Sequence, residues 1–290
     1  MKVLKFGGTS VGSSNTMKGV VEILLSYKKK KEEFAVVFSA MSGITNLLVE
    51  VSRRASETDP DYLKVLKDIE NKHINTVKDL IEVKVQSRVI ANIKMLINEL
   101  EDLLHGVFLL KELSLRTQDL VLSFGERLST TIMHEYISQS GIPSEFLDAR
   151  ELIKTDNNFG SARINFKLTD KNIKAYFKGR KPVQCITGFI SSTEKNETTT
   201  LGRGGSDYTA SVIGAALGAD EIEIWTDVDG VMTADPRKVK RAFTLPAISY
   251  IEAMEMSHFG AKVIYPPTLQ PAFNKKIHIR IMNTLSLIHI

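Results

Sequence analysis

The sequence predicts an α/β fold in which a parallel sheet is flanked by helices, and two observations support this prediction. Short β-rich runs alternate with longer stretches of helical periodicity along the 290 residues, which is the pattern of parallel strands joined by crossover helices. Several of the runs end in Gly, Ser, Thr or Asp, so polar loops follow the predicted strands. Because open α/β sheets bind ligands at the carboxyl ends of their strands, we look for a site in these loops.

Six runs are rich in β-branched and aromatic residues and are predicted to be strands. They cover residues 3–6, 34–38, 145–148, 182–186, 221–225 and 277–281. Helices are expected from about Asn15 and over Thr209–Leu217. Between about residues 60 and 140, apolar residues recur three and four positions apart, which predicts helices packed on helices. We expect residues 1–290 to form one domain of two lobes, with a boundary near residue 200.

Composition and charge exclude several classes of protein. With 43% hydrophobic and 25% charged residues, the chain has the composition of a folded globular protein. Its net charge of +4 is small, and the densest basic run, Lys28–Lys31, is followed by two glutamates, as at a solvated helix end. We therefore expect no nucleic-acid partner. The single cysteine, Cys185, excludes an internal disulfide framework. Because no apolar stretch reaches about 18 residues, we expect no membrane partner and a cytoplasmic location.

The loop after the first predicted strand carries paired glycines, Gly7 and Gly8, directly behind Lys5 and Phe6. Paired glycines let backbone N–H groups approach a phosphate, and the helix N-terminus that follows favours negative charge. The lysine precedes the glycines, so this is not a Walker A loop, and a plain strand-turn-helix explains the glycines equally well. Lys5 favours the phosphate interpretation, because a lysine in a short apolar strand is costly to bury without a role.

A second glycine cluster, Gly202–Tyr208, precedes the small-residue helix. Its glycines free the backbone, and Arg203 supplies a planar fork for a carboxylate. Ser206 or Asp207 is expected to cap the helix that follows. A flexible turn with a helix cap is the alternative, but an arginine among three glycines favours an anion site.

A third polar loop, Trp225–Arg237, follows another predicted strand. Its aspartates lack the ligand spacing and the terminal glutamate of a calcium loop. We interpret it as a nucleotide loop, with Thr226 and Asp227 near the base or ribose and Arg237 toward phosphate; a plain acidic turn is the alternative. The histidines offer no spaced ligand pair, so no residue is assigned to a metal.

Six motifs occur in a fixed order along nearly the whole chain: Lys5–Ser10, Ser39–Asn46, Ser123–Glu126, Gly202–Tyr208, Trp225–Gly230 and Phe259–Lys262. Together they resemble the motifs of the aspartate kinases in the amino-acid-kinase superfamily. The resemblance implies a three-layer α/β/α sandwich around a mostly parallel sheet, like that of carbamate kinase. It also implies an amino-acid-binding lobe over about residues 1–200 and a nucleotide-binding lobe over residues 201–290.

The resemblance further implies phosphorylation of the side-chain carboxylate of L-aspartate by ATP, the first step toward lysine, threonine and methionine. Catalysis would fall to Lys5 and Asp207. Residues implied in ATP binding are Lys5, Gly7, Gly8, Thr226, Asp227, Met232, Arg237 and Lys262. Residues implied in aspartate binding are Ser39, Thr45, Glu126, Phe189, Arg203, Gly204, Gly205 and Ser206. Met232 departs from the pattern, because many relatives have an aromatic residue there, and a thioether packs on adenine less like a ring.

The acceptor carboxylate is already ionised at neutral pH, so no general base is needed. We expect Lys5 to stabilise charge on the transferred group, helped by Mg²⁺ that is held through the ATP phosphates. Arg203 would grip a substrate carboxylate and Glu126 would accept from the α-ammonium group. An alternative for Glu126 is a carboxylate at a helix start, where it would meet the positive end of the dipole.

Two other functions stay open on the sequence. A kinase of the same fold could act on glutamate, acetylglutamate or a nucleotide, and a non-catalytic module could bind nucleotide or amino acid. Relatives continue beyond the position of Ile290 into regulatory domains, and some carry a homoserine dehydrogenase behind the kinase. We expect the regulatory domains to be missing from this chain, and the full-length protein to form a homo-oligomer.

Overall fold

The computed structural model describes residues 1–234, 238–258 and 265–286. Its strands are β1 (Lys2–Phe6), β2 (Phe34–Phe38), β3 (Ser144–Leu147), β4 (Lys154–Thr155), β5 (Val183–Thr187), β6 (Ile190–Thr193), β7 (Thr198–Thr200), β8 (Glu221–Thr226) and β9 (His278–Asn283). Its α-helices are α1 (Ser14–Lys29), α2 (Ile44–Ser56), α3 (Tyr62–Leu80), α4 (Val83–Leu110), α5 (Leu115–Gln139), α6 (Phe166–Phe177), α7 (Gly205–Leu217), α8 (Tyr250–His258) and α9 (Pro266–Lys275).

The main sheet within the described ranges has six strands in the order β3-β5-β2-β1-β8-β9. Every neighbouring pair is parallel. These are the six predicted strands, with bounds that differ by at most two residues. The order places β1 in the interior of the sheet, where β2 and β8 pair with it along its full length. The predicted α/β fold with a parallel sheet is therefore confirmed.

Alternate residues of the central strands face two separate hydrophobic cores. Leu4 and Val36 belong to the core shared with helices α1 to α5. Val3 and Val37 belong to a second core, shared with residues of α6, α7 and α9. Because successive side chains of a strand point to opposite faces, the sheet is covered on both sides. The three-layer α/β/α sandwich is confirmed.

The helical stretch predicted between residues 60 and 140 consists of α3, α4 and α5, packed on α2 and on one another. Their apolar positions three and four residues apart are buried, as the periodicity predicts. In the described part of the chain no helix combines the length and apolarity that crossing a membrane requires. The single cysteine, Cys185, is buried in the core on this side of the sheet.

A small sheet of β4, β6 and β7 was not predicted. Its strands are rich in serine and threonine, and these residues are nevertheless buried. Their hydroxyls bond to one another: Thr199 Oγ1 lies 2.7 Å from Thr155 Oγ1 and 2.9 Å from Ser191 Oγ. Since buried polar groups are tolerated when they are hydrogen-bonded, these strands need no apolar pattern, which is the signal on which the prediction depended.

The main sheet is continuous across the predicted lobe boundary, because β8 pairs directly with β1. The assignment of residues 1–200 to amino-acid binding and residues 201–290 to nucleotide binding stays a prediction.

Candidate active site

A cavity of about 680 Å³ opens beside the carboxyl ends of β1, β2 and β5. It brings together every residue predicted to bind the amino acid, together with both residues predicted to be catalytic. The predicted residues that line it are Lys5, Gly8, Ser39, Thr45, Glu126, Phe189, Arg203, Gly204, Gly205, Ser206 and Asp207. Loops that are far apart in the sequence thus meet at one edge of the sheet, as the topology of parallel strands dictates.

Lys5 and Asp207 form an ion pair in the wall of this cavity, with 2.6 Å between Lys5 Nζ and Asp207 Oδ1. Lys5 is only 8% exposed, and the partner carboxylate offsets the cost of burying its charge. A side chain at Gly7 would place its Cβ 3.4 Å from the Lys5 ammonium. The glycine therefore keeps a side chain away from that cation.

The loops after β1 and β2 approach each other closely at Gly8. A Cβ on Gly8 would lie 3.0 Å from the Ala40 carbonyl oxygen. Because this oxygen belongs to the backbone, it cannot move away as the end of a flexible side chain could. The Ser42 N–H also donates to the Gly8 carbonyl oxygen at 3.1 Å. Gly8 is thus needed for the close approach of the loop after β1, the strand that carries Lys5, to the loop after β2, which begins at Ser39.

Glu126 lies in the middle of α5 and is 4% exposed. Its Oε1 accepts a hydrogen bond from the Ala40 N–H at 3.1 Å, and among the described residues its Oε2 has no partner. Burial raises the pKa of the Glu126 carboxyl to about 8, although the Ala40 N–H and the charge of Lys5 oppose that rise. The alternative of a helix-start carboxylate is wrong, because α5 begins at Leu115.

Arg203 stands in a turn whose flanking glycines have left-handed backbone conformations, with φ of 71° at Gly202 and 69° at Gly204. Such φ values favour glycine. The guanidinium is exposed and lies 5.9 Å from the centre of the Tyr265 ring. It lines the same cavity as Lys5, so the cation at the end of β1 and the arginine of this turn converge.

The cap predicted for α7 is wrong. The helix begins at Gly205 with Gly204 as its N-cap residue, and no side chain caps it. Ser206 and Asp207 belong to its first turn instead. This position turns them toward the cavity, and Asp207 becomes available to pair with Lys5.

The first turn of α7 is locked against the corner between β5 and β6. A Cβ on Gly205 would lie 2.6 Å from Phe189 Cδ2, and one on Gly188 would lie 2.6 Å from Ser206 Cβ. Phe189 itself has φ of 66°, an unfavourable conformation for a bulky residue. Its N–H donates to Thr209 Oγ1 at 3.0 Å, so α7 helps to hold Phe189 in this conformation.

Three predicted nucleotide residues lie at the end of β8 or after it and do not line this cavity. Thr226 ends β8, Asp227 accepts a hydrogen bond from its hydroxyl at 3.1 Å, and Met232 forms an isolated antiparallel bridge with Thr244. The end of β8 is nonetheless next to the glycine loop, because the Gly7 N–H donates to the Trp225 carbonyl oxygen at 2.9 Å. Arg237 and Lys262, with the motif Phe259–Lys262, lie outside the described residues.

Sequence reasoning missed several residues of the cavity wall: Gln118, Asp119, Leu122, Gly160 and Thr200. Asp119 is 1% exposed. Burial raises the pKa of its carboxyl from the ordinary value, and hydrogen bonds from Gly160 and Thr200 oppose that rise. An aspartate seven residues before Glu126 on one helix was the available signal, since that spacing puts both on the same face.

The sequence profile of the Amino acid kinase family matches residues 1–283. The chain belongs to the amino acid kinase family. Among curated relatives, this amino acid kinase is 38% identical to aspartokinase 1 of Arabidopsis thaliana over 97% of its length, covering 50% of that protein. It is 37% identical to bifunctional aspartokinase/homoserine dehydrogenase 1 of Zea mays over 97% of its length, covering 30% of that protein. The chain thus spans half or less of these relatives.

The chain is also similar to solved structures. E. coli aspartokinase III in complex with aspartate and ADP is 33% identical and superposes with a TM-score of 0.90, over 99% of this amino acid kinase and 62% of that chain. Uridylate kinase of Archaeoglobus fulgidus is 14% identical, with a TM-score of 0.51, over 97% of this chain and 90% of that one. The second likeness shows a common fold.

Proposed function

We propose that the chain transfers the γ-phosphoryl group of ATP to the side-chain carboxylate of L-aspartate. The observation that carries this proposal is one cavity that holds the Lys5–Asp207 pair, Arg203 and Oε2 of Glu126, which has no partner among the described residues. Membership of the amino acid kinase family supports a phosphoryl transfer. The aspartate and ADP bound to the similar E. coli aspartokinase III support this acceptor and this donor.

Opposite charges in the cavity suit the opposite charges of an amino acid. The exposed guanidinium of Arg203 offers a planar pair of donors for a carboxylate. Oε2 of Glu126 is buried and unpartnered among the described residues, so it offers an acceptor to the α-ammonium group. Because the pKa of the Glu126 carboxyl is about 8, an incoming ammonium group would release a proton from it and form an ion pair.

Lys5 would act on the donor side of the reaction. Its ammonium group lies at the end of β1 beside two glycines, where it would neutralise charge on the transferred phosphoryl group. Asp207 fixes the direction of the Lys5 side chain through the ion pair. The acceptor is an ionised carboxylate and needs no general base. Positioning of the two substrates and neutralisation of charge therefore supply the acceleration.

Magnesium would enter with the nucleotide. In the described ranges no group of three or more His, Cys, Asp or Glu side chains is placed to hold a metal ion, so the phosphate oxygens would supply most of its ligands. When bound, Mg²⁺ would neutralise charge on the β- and γ-phosphates. We propose that Gly7, Gly8, Thr226 and Asp227 contact the nucleotide, with Met232, Arg237 and Lys262 as further contacts.

An acyl-phosphate trap tests the function. With ATP, Mg²⁺, L-aspartate and hydroxylamine, we expect the protein to form aspartyl hydroxamate. ADP release should depend on aspartate and not on glutamate, acetylglutamate or uridine monophosphate. The double variant Glu126→Gln/Arg203→Lys provides a control that should form little hydroxamate. Preference for another acceptor, or nucleotide binding by calorimetry without any phosphorylated product, would contradict the proposal.

We also propose a cytoplasmic location and self-association of the full-length protein. Both stay predictions, which cell fractionation and light scattering would test.

A further inference from the structure

Helix α5 brings two buried carboxylates to the cavity wall. Asp119 and Glu126 are 1% and 4% exposed, and both line the cavity. Their spacing of seven residues is close to two turns at about 3.6 residues per turn, so both side chains leave the helix on one face. The buried face of a helix is ordinarily apolar, because burying a charged group is costly. Each of these two carboxylates must therefore have a role that offsets the cost.

The two carboxylates differ in their partners. Oε2 of Glu126 is unpartnered within the described residues. Both oxygens of Asp119, in contrast, accept hydrogen bonds from the protein. Its Oδ1 accepts from the Thr200 hydroxyl at 2.7 Å, and its Oδ2 accepts from the N–H groups of Thr200 at 3.0 Å and Gly160 at 2.9 Å. Glu126 is therefore open to a ligand, whereas Asp119 is committed to the fold around it.

Asp119 holds two segments that lie next to the arginine turn, which consists of residues 202–204 and carries Arg203. Thr200 ends β7, three residues before Arg203. Gly160 lies beneath the turn, where a Cβ on Gly202 would come within 3.1 Å of the Ser161 hydroxyl oxygen. The Ala162 N–H donates to the Thr200 carbonyl oxygen at 2.9 Å and joins the two segments. The Asp119 carboxylate thus ties both segments to the helix that carries Glu126.

We propose that Asp119 is a positioning residue that fixes the distance between Arg203 and Glu126, and thereby the length of amino acid that the cavity accepts. Hydrogen bonds to an ionised group are about twice as strong as neutral ones, so three of them make a stiff connection. Substrate identity in this inference rests on the proposed function; the connection itself does not. An error of about 1 Å in substrate placement can cost on the order of 10²-fold in rate.

Steady-state kinetics of Asp119→Asn test the substrate part of the inference. The amide keeps one acceptor oxygen but loses the negative charge, so the hydrogen bonds that join Asp119 to Thr200 and Gly160 weaken and the turn is held less firmly. We expect the KM for aspartate to rise at least tenfold, with the KM for ATP changed less than threefold. Asp102→Asn, on the exposed face of α4, should leave both constants unchanged. An unchanged KM for aspartate, or an equal rise in both constants, would overturn the inference.

The variant Thr200→Val tests the same inference in case Asp119→Asn fails to fold. It removes one donor to Asp119 and keeps the carboxylate, so we expect a smaller rise in the KM for aspartate and no change in that for ATP. A double-mutant cycle with Arg203→Lys then tests whether Asp119 acts through the arginine. The KM of the Asp119→Asn/Arg203→Lys protein should stay within about threefold of the worse single variant. Multiplicative effects would mean that Asp119 acts elsewhere.

Amide hydrogen exchange tests the connection without any catalytic assay. The Leu201 N–H donates to the Phe189 carbonyl oxygen and the Gly205 N–H donates to that of Gly202, so both amides report on the turn. We expect each to exchange at least tenfold faster in Asp119→Asn than in Asp102→Asn; equal rates would refute the connection. If the unmodified protein forms no aspartyl hydroxamate, the proposed function fails, and the exchange result still decides the role of Asp119.

Discussion

At the scale of single residues, the geometry gives Lys5 a role that can be measured. Its ammonium group is the buried cation at the carboxyl end of β1, and Asp207 holds it in place. We expect Lys5→Met to lower kcat by about 10²- to 10³-fold, because a preorganised charge is lost from the reacting group. Rates with ATP and aspartate should be compared with those of Lys18→Met, an exposed lysine of α1. A fall in kcat of less than threefold would show that Lys5 does not take part in the reaction.

The raised pKa of the Glu126 carboxyl predicts that aspartate binding is linked to the release of a proton. With a pKa of about 8, the free site is mostly protonated at pH 7, and an ammonium ligand binds best to the carboxylate. Aspartate affinity should therefore rise between pH 7 and 9, with the release of close to one proton at pH 7. Calorimetry in buffers of different ionisation enthalpy measures that number. Glu126→Gln should abolish the release, and binding by the unmodified protein without proton release would contradict the linkage.

How well individual residues were predicted depended on what they contact. Lys5 is close to the carboxyl end of β1 and Arg203 stands in a loop, and a parallel sheet gathers its strand ends and the loops after them at one edge, so their convergence followed from the pattern. Asp119 was missed because its partners are at residues 160 and 200. Nothing in the sequence around a helix position reveals which distant backbone groups will meet it.

At the scale of elements, α7 and the β5–β6 corner are in such close contact that a side chain added between them should destabilise the protein. A methyl group on Gly205 would lie 2.6 Å from Phe189 Cδ2 and 3.1 Å from Phe189 Cα, and a backbone atom cannot move aside. We expect Gly205→Ala to lower the free energy of unfolding by about 1–3 kcal/mol through overpacking. Chemical denaturation measures this change.

Gly19→Ala is the matched control for that prediction. Gly19 lies inside α1, and a Cβ there would have no neighbour within 4 Å. The substitution should raise the free energy of unfolding by about 0.5–1 kcal/mol, because alanine favours a helix interior. If Gly205→Ala left the free energy of unfolding unchanged or raised it as Gly19→Ala does, the contact at Gly205 would not be tight.

Elements were predicted well where burial required apolar residues. All strands of the main sheet were found, since parallel strands covered on both faces are near-continuous hydrophobic runs. The serine- and threonine-rich strands β6 and β7 were missed, because paired hydroxyls allow polar residues to be buried. The start of α7 was placed too late, since a glycine N-cap leaves no side-chain signal.

At the scale of the whole molecule, one buried histidine links stability to pH. His73 is fully buried in α3, where one ring nitrogen, Nδ1, bonds to the Ile69 carbonyl oxygen. Burial lowers the pKa of the His73 imidazole from 6.5 to about 4, so the fold requires the neutral ring. As the pH falls from 6.5 to 4, the His73 imidazole binds a proton in the unfolded chain but stays neutral in the folded chain. This difference costs roughly 3 kcal/mol of stability over that window.

The free energy of unfolding, measured by denaturant at pH 7 and pH 4.5, tests this linkage. We expect His73→Asn to lose much less stability on acidification than the unmodified protein. His105→Asn, at an exposed position of α4, should keep the full loss. An acid sensitivity that is unchanged in His73→Asn would assign the effect to other groups.

The central place of β1 in the sheet has a consequence for how the protein fails on heating. The strand that carries Lys5 is bonded along both sides, to β2 and to β8, and it joins both hydrophobic cores. Frayed ends and loosened loops leave such a strand untouched, so the ammonium group keeps its position until the entire domain melts. Hydrogen-exchange protection of the β1 amides should therefore be lost at the calorimetric transition and not before it.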